Sequence, residues 1–215
     1  MKINFKDYKN IVDNLHEGII IFDNNYKIKF YNKFFSDIFE YTKDEINKKS
    51  LIDIIDQRYI DLFTNHLKYN FDKTIDLQLN SKNNKKKYIR FSFDKYSHDN
   101  DDYTLAIIED ITQMRHEEIK KSCIYKISEA IHDSDDLPTL YKEIHTILSD
   151  ITNVQNFYIA IVDWELNSVS FPYFVDEKDK KPKPYNMKKG LTEYVINSGE
   201  SLLLNKEIYN NLIIS

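Results

Sequence analysis

Glycine is nearly missing from this chain: 3 of 215 residues, beside four Pro, one Cys and one Trp. Roughly 7% Gly is usual in soluble domains. No pair among Gly18, Gly190 and Gly199 has the spacing of a phosphate-cradling loop or a dinucleotide fingerprint. Collagen-like and linker-like chains are excluded, and a single cysteine, Cys123, excludes a disulfide scaffold. One thiol suits a reducing compartment, so a cytoplasmic location is expected. Apolar runs such as Ile19–Phe22 are far too short to cross a bilayer, and Met1–Asp7 holds no apolar signal core. A basic stripe is missing too. The net charge is −5 with both signs interspersed, which argues against nucleic acid as a partner.

What is present is a core-forming composition, 41% apolar and 14% aromatic, with 13 Phe and 16 Tyr. Phe5, Tyr8, Val12 and Leu15 fall on one face of a short helix. Ile19–Phe22 reads as a central strand, Asp23-Asn24-Asn25 as a turn using left-handed Asn, and Tyr26–Tyr31 as a return strand with Ile28 and Phe30 inward. The period then becomes helical. Phe34, Phe35, Ile38 and Phe39 mark one helix, Thr42–Glu45 has the form of a capping box, and Leu51, Ile54, Ile55, Ile60, Phe63 and Leu67 mark later turns. Two alternating segments follow, Thr74–Leu79 and Tyr88–Phe93, and then Tyr103–Ile108, apolar on nearly both faces and so placed centrally beside the first strand. Two strands, short helices and three strands predict an α+β fold around one antiparallel five-stranded sheet.

Four stretches in this order resemble the PAS sensor domain, over residues 7–112. Gly18–Asp23 is similar to its opening strand, and Phe30-Tyr31-Asn32 to the end of its second. Tyr41–Ile46 leading to Ser50-Leu51 resembles the capped middle helix, and Glu109-Asp110-Ile111-Thr112 the exit motif. Asn47-Lys48 stands where the family usually has Gly, a place where Asn can supply the same backbone. The resemblance implies a small-ligand pocket between sheet and helices. Its candidate lining is Phe30, Asn32, Phe35, Phe39, Ile55, Phe63, Leu67, Leu77, Phe91 and Ile107. It also implies a signal relay through Asp110, Ile111 and Thr112 into an outgoing helix. Read from the residues alone, the same aromatics are a filled core and Asn32 holds a turn. This lining offers no charge to an anion.

The residues weigh against two cofactors of such domains, and the cofactor stays unassigned. A flavin adduct needs a Cys beside the ring, and Cys123 follows the exit motif. Haem needs an axial His, and His66 sits too near its helix's C-terminus. No metal site is expected: His98 with Asp99, Asp101 and Asp102 lacks EF-hand spacing, and Lys120 stands where a zinc helix beginning at His116 needs a second His.

Gln113–Ile131 reads as a helix, with Ile124, Ile127 and Ile131 on one stripe. It resembles the signalling helix that pairs in dimers, so a homodimer through the PAS domain and this helix is expected. Beyond it, Asp136 caps a helix with Pro138 in its first turn. Phe157–Asp163, Ser168–Asp176 and Leu202–Leu204 read as strands, Asp179–Pro184 as a charged loop, and Gly190–Ile196 as the start of a helix. Asn156–Ala160, Phe171–Glu177 and Gly190–Ile196 resemble the N-terminal part of a GAF domain over residues 122–210, with its closing strands missing. That implies Tyr158, Phe171, Tyr173 and Phe174 as candidate ligand residues and a less stable second half.

The expected organisation is therefore a PAS domain at 1–112, a connecting helix at 113–135 and a partial GAF-like domain at 136–215. No catalytic constellation is found, so the chain is read as a sensory input module that binds a small ligand or partner. The alternatives are the N-terminal piece of a sensor histidine kinase or a cyclic-di-GMP cyclase or phosphodiesterase, and a stand-alone PAS adaptor.

Overall fold

The computed structural model describes the backbone of residues 5–99, 101–152 and 154–214, and the side chains of 7–99, 101–152 and 154–210. The expected apolar role of Phe5 lies outside the described side chains. The fold is α+β, with a five-stranded antiparallel sheet and a separate three-stranded one. Two compact units divide at Glu118/Ile119.

In the first unit, helix α1 (Phe5–Asp13) leads into strands β1 (Gly18–Asp23) and β2 (Ile28–Tyr31). Helices α2 (Lys33–Phe39), α3 (Lys43–Ile46) and α4 (Ile60–Tyr69) follow, with 3-10 turns at Leu51–Asp53 and Gln57–Tyr59. Strands β3 (Ile75–Asn80), β4 (Lys86–His98) and β5 (Asp101–Asp110) complete the sheet in the order β2-β1-β5-β4-β3. This places β5 beside β1, as the apolar pattern of Tyr103–Ile108 predicts.

The inner face carries Ile20, Phe22, Ile75, Leu77, Leu79, Ile89, Phe91, Ala106 and Ile108, all buried, and the helices add Phe35, Ile38, Phe39 and Phe63. Burying one such large side chain is worth about 1.5–3 kcal/mol, so this cluster is the main term holding the unit. Gly18 admits α2 to the sheet, because a Cβ there would sit 3.1 Å from Ile108 Cβ and 3.4 Å from Phe35 Cα. The box at Thr42 forms, with Thr42 N–H donating to Glu45 Oε2 at 2.9 Å.

Left-handed backbone falls elsewhere than predicted in two places. In the β1–β2 turn it is Tyr26, at φ 61°, and not Asn24 or Asn25. Asn47 has an ordinary helical φ of −61°, so no glycine-like geometry is needed there. Asn84 does take it, at φ 59°.

Asn32 ties three elements together. It is fully buried, and its Oδ1 accepts from Ile19 N–H (2.9 Å) and from Phe35 N–H (3.1 Å), capping α2. Its Nδ2 donates to Val12 O (2.9 Å) and Glu17 O (2.8 Å). All four hydrogen-bonding positions of the amide are filled.

In the second unit, helix α5 (Thr112–Asp133), which begins in the first unit, is followed by α6 (Leu137–Ile151). Strands β6 (Phe157–Asp163), β7 (Ser168–Val175) and β8 (Tyr185–Asn186) form a sheet in that order, and α7 (Leu191–Ser198) and α8 (Lys206–Ile214) close the sequence of elements. Asp136 caps α6, accepting from Thr139 N–H at 2.8 Å. Gly199 ends α7 at φ 66°. The predicted strand Leu202–Leu204 is not one; the third strand is Tyr185–Asn186, just past the expected charged loop. Among the described residues, Ala130, Val169 and Phe171 are the buried apolar ones of this unit, a far thinner core than that of the first.

Replacing Asn32 with Ala strands two backbone N–H groups and the Glu17 carbonyl, while Val12 O keeps Leu15 N–H at 3.4 Å. At about 1 kcal/mol for each buried group left unpaired, the expected loss is roughly 3 kcal/mol. Urea denaturation should show a lower midpoint at unchanged slope. A loss under about 1 kcal/mol would mean that water restores these bonds.

Candidate functional site

The predicted lining residues separate onto two faces of the sheet. Phe35, Phe39, Ile55, Phe63, Leu77 and Phe91 lie together in the buried core, and Leu67 packs against its rim. Phe35 and Phe39 have ring centroids 5.2 Å apart, Phe63 and Phe91 5.4 Å, so these rings occupy the space between sheet and helices themselves. Phe30 and Ile107 do not join them. Phe30 pairs with Ile21 because a bulge between Ile21 and Phe22 shifts the register of β2, which puts Tyr31 inward and Phe30 outward. Ile107 pairs with Ile19 and Ser92 on the same outer face, 37% exposed, between buried Ala106 and Ile108. Asn32, with its amide saturated, has no group left for a ligand.

The exit motif forms a junction. Asp110 Oδ1 accepts from Thr112 N–H at 3.1 Å and from its hydroxyl, while Oδ2 meets Lys87 Nζ at 2.7 Å. Thr112 Oγ1 in turn accepts from Tyr88 N–H at 3.0 Å, and buried Ile111 donates its N–H to Tyr88 O at 2.9 Å. Burial works to raise the Asp110 pKa, but Lys87 and Thr112 outweigh it, so the carboxyl lies below its ordinary value.

A second clamp lies beside it. Arg90 grips Asp76 through Nε (2.8 Å) and Nη2 (3.0 Å), and Arg115, in the first turns of α5, reaches the same carboxylate at 2.9 Å. Arg90, countering a desolvation cost, holds the Asp76 pKa low, with Arg115 adding to it. Sequence reasoning passed over these residues, although a signal was there. The chain has 27 Lys and only three Arg, and two of the three meet on Asp76. A planar fork is what a shared carboxylate requires.

At the opposite end of the inner face lies an open groove of about 440 Å³. The β1–β2 turn (Phe22, Asp23, Asn24, Tyr26), α4 and its exit (Thr64, Asn65, Leu67, Lys68, Phe71) and the strand positions Lys95 and Thr104 line it. Lys87, Arg90, Arg115, Lys68 and Lys95 were not among the residues singled out from the sequence.

His66 projects Nε2 to Lys73 O at 2.9 Å and so holds the turn after α4. Cys123 lies on α5. Among the described residues, no group of three or more His, Cys, Asp or Glu is placed to hold a metal ion, and no helix is long and apolar enough to cross a membrane.

The four candidate residues of the second unit also divide. β7 carries an extra residue near Phe171-Pro172 between its pairings to Ile161 and Ile159, which reverses the alternation. Tyr158, Phe171 and Phe174 cluster on one face, where Tyr158 Oη lies 3.0 Å from Thr192 Oγ1. Tyr173 is on the other, its hydroxyl 2.9 Å from His145 Nδ1 of α6.

Against this geometry the comparisons are clear for one segment. Residues 16–113 match the family model described as the PAS domain. A PAS domain from a two-component sensor histidine kinase is 14% identical, covering 49% of this chain and 95% of that one at a TM-score of 0.44. The PAS domain of a protein from Colwellia psychrerythraea is 17% identical, with 50% and 97% covered and a TM-score of 0.45. The PAS domain of nitrogen regulation protein NR(II) from Vibrio parahaemolyticus is 16% identical, with 48% and 97% covered and a TM-score of 0.39. No curated protein matches the sequence.

Both junction carboxyls have folded-state pKa values below the ordinary 3.8, so their stabilisation is complete above that pH and is lost as pH falls beneath it. The urea midpoint should hold from about pH 7 to 5 and decline below about pH 4. Asp110→Asn should start lower and decline less. An equal decline in the variant would remove Asp110 from the acid response.

Proposed function

We propose that this chain is the sensory input part of a signal-transduction protein. A small ligand or partner biases the sheet of the PAS domain, and α5 carries the bias onward. The observation that supports this most is the exit junction: Asp110, Ile111 and Thr112, with Arg115 on Asp76, fasten the first turns of α5 to β3, β4 and β5. A helix held by side-chain bonds to several strands moves when those strands move. The signal is then a shift between two populations, and a ligand drives it only through unequal affinity for them.

On this reading the chain works as a homodimer through the PAS domain and α5, whose Ile124 and Ile131 are 66% and 56% exposed. The second unit is a GAF-like module. Catalysis of the histidine kinase or cyclic-di-GMP type belongs to domains other than these two units.

Asp110→Ala should release the junction. Amide exchange at residues 112–118 is expected to rise about tenfold or more, as loss of roughly 1.5–3 kcal/mol of charge-assisted bonding implies, while the amides of Ile20 and Phe91 keep their protection. Unchanged exchange over 112–118 would refute Asp110 as the relay. For the dimer, sedimentation of the full chain should show association, and Ile124→Glu with Ile131→Glu should abolish it. A monomer at all concentrations would remove this element of the proposal.

A further inference from the structure

The inner face of β4 carries Ile89, Phe91 and Phe93 and then, two residues on in the same period, Lys95. Lys95 pairs across the sheet with Thr104, which pairs in turn with Phe22. A cation thus occupies an inward position where the pattern calls for an apolar residue, and it does so at the groove described above. Lys68 faces the same groove from α4. Neither ammonium has an ion-pair partner among the described residues; they lie only over aromatic rings, Lys95 5.8 Å from the Phe71 centroid and Lys68 5.0 Å from that of Tyr69.

The acid at this groove is already committed. Asp23 Oδ1 accepts from Asn25 N–H (2.9 Å) and Lys27 N–H (3.0 Å), and Oδ2 pairs with Lys29 at 3.0 Å. Partial burial works to raise the Asp23 pKa, but Lys29 and the two backbone donors more than offset it, so the group stays a carboxylate turned toward the hairpin. The groove is left with an uncompensated positive charge.

Three of the lining residues, Phe22, Tyr26 and Phe71, are aromatic. Tyr26 is held in the left-handed region at φ 61°, which a bulky residue adopts only where its surroundings force it. That conformation stacks its ring against Phe22, centroids 6.2 Å apart. About 440 Å³ falls within the roughly 300–1,000 Å³ of small-molecule sites.

We infer that this groove binds a small aromatic anion, its ring against Phe71 and Tyr26 and its carboxylate or phosphate at Lys68 and Lys95. As the input of the proposed sensor, the site rests on that reading; as a binding site it stands alone.

Isothermal titration of the full chain with 2-naphthoate, 2-naphthyl phosphate and neutral 2-naphthamide tests it. At least one anion should bind about tenfold or more tightly than the amide, as expected for charge-assisted bonds, and the better anion identifies the head group. Lys68→Gln and Lys95→Gln should each weaken that anion about fivefold or more, with Lys86→Gln, an exposed change elsewhere on β4, as the control. Equal binding of anion and amide, no binding of either anion, or equal weakening by Lys86→Gln overturns the site. Asp110→Ala should leave the binding constant unchanged. If binding persists while exchange along α5 ignores the anion, the sensor reading fails and the site stands.

Discussion

One buried amide organises the first unit. Asn32 joins the end of α1, the start of β1 and the N-terminus of α2, and each of its four bonds goes to a backbone group. Remove it and the approach of α2 to the sheet at Gly18 loses its guide, even though the apolar surfaces are intact. Hydrophobic burial supplies most of the energy here, but burial has no direction. The direction comes from Asn32, and with it the alignment of Phe35 and Phe39 against the core.

The sheet works on both faces for different ends. Inward it is aromatic and filled. Outward it carries the ionic chain Asp76–Arg90–Glu109 and, through Arg115, the foot of α5. The two ends of the sheet are also unlike. One is closed by the junction at Asp110, where carboxylates are paired and partly desolvated. The other is open and lined by lysines without an ion-pair partner among the described residues. Charge that is satisfied suits a mechanical joint; charge that is left over suits a ligand.

Much of this was legible in the sequence. Alternation located β2, β3 and β4, short apolar runs located β1 and β5, and the helical periods located α2 and α4. The order of elements, together with Asn32 and the Glu109–Thr112 phrase, carried the PAS resemblance. Alternation assigns faces only while the register is unbroken, and the bulge at Ile21/Phe22 breaks it. Phe30 went to the wrong face for that reason. Ile107 was misplaced differently: a strand apolar on both faces gives no phase to read. The groove was hidden because Lys68 and Lys95 belong to elements far apart in the chain, and each alone looks like one more lysine among 27.

The unequal lengths of β3 and β4 carry a further consequence. β3 pairs with β4 only as far as Phe91, so from Ser92 to His98 the outer flank of β4 has no neighbouring strand on that side among the described residues. A bare flank of this kind is a template on which a foreign strand can grow. Here it is studded with Asp94, Lys95 and His98. The lysine that makes the groove cationic therefore also makes the flank a poor template for another chain. Exchanging it for an apolar residue would weaken two safeguards at once, ligand selectivity and resistance to aggregation, which ties the chemistry of the groove to the solubility of the sheet.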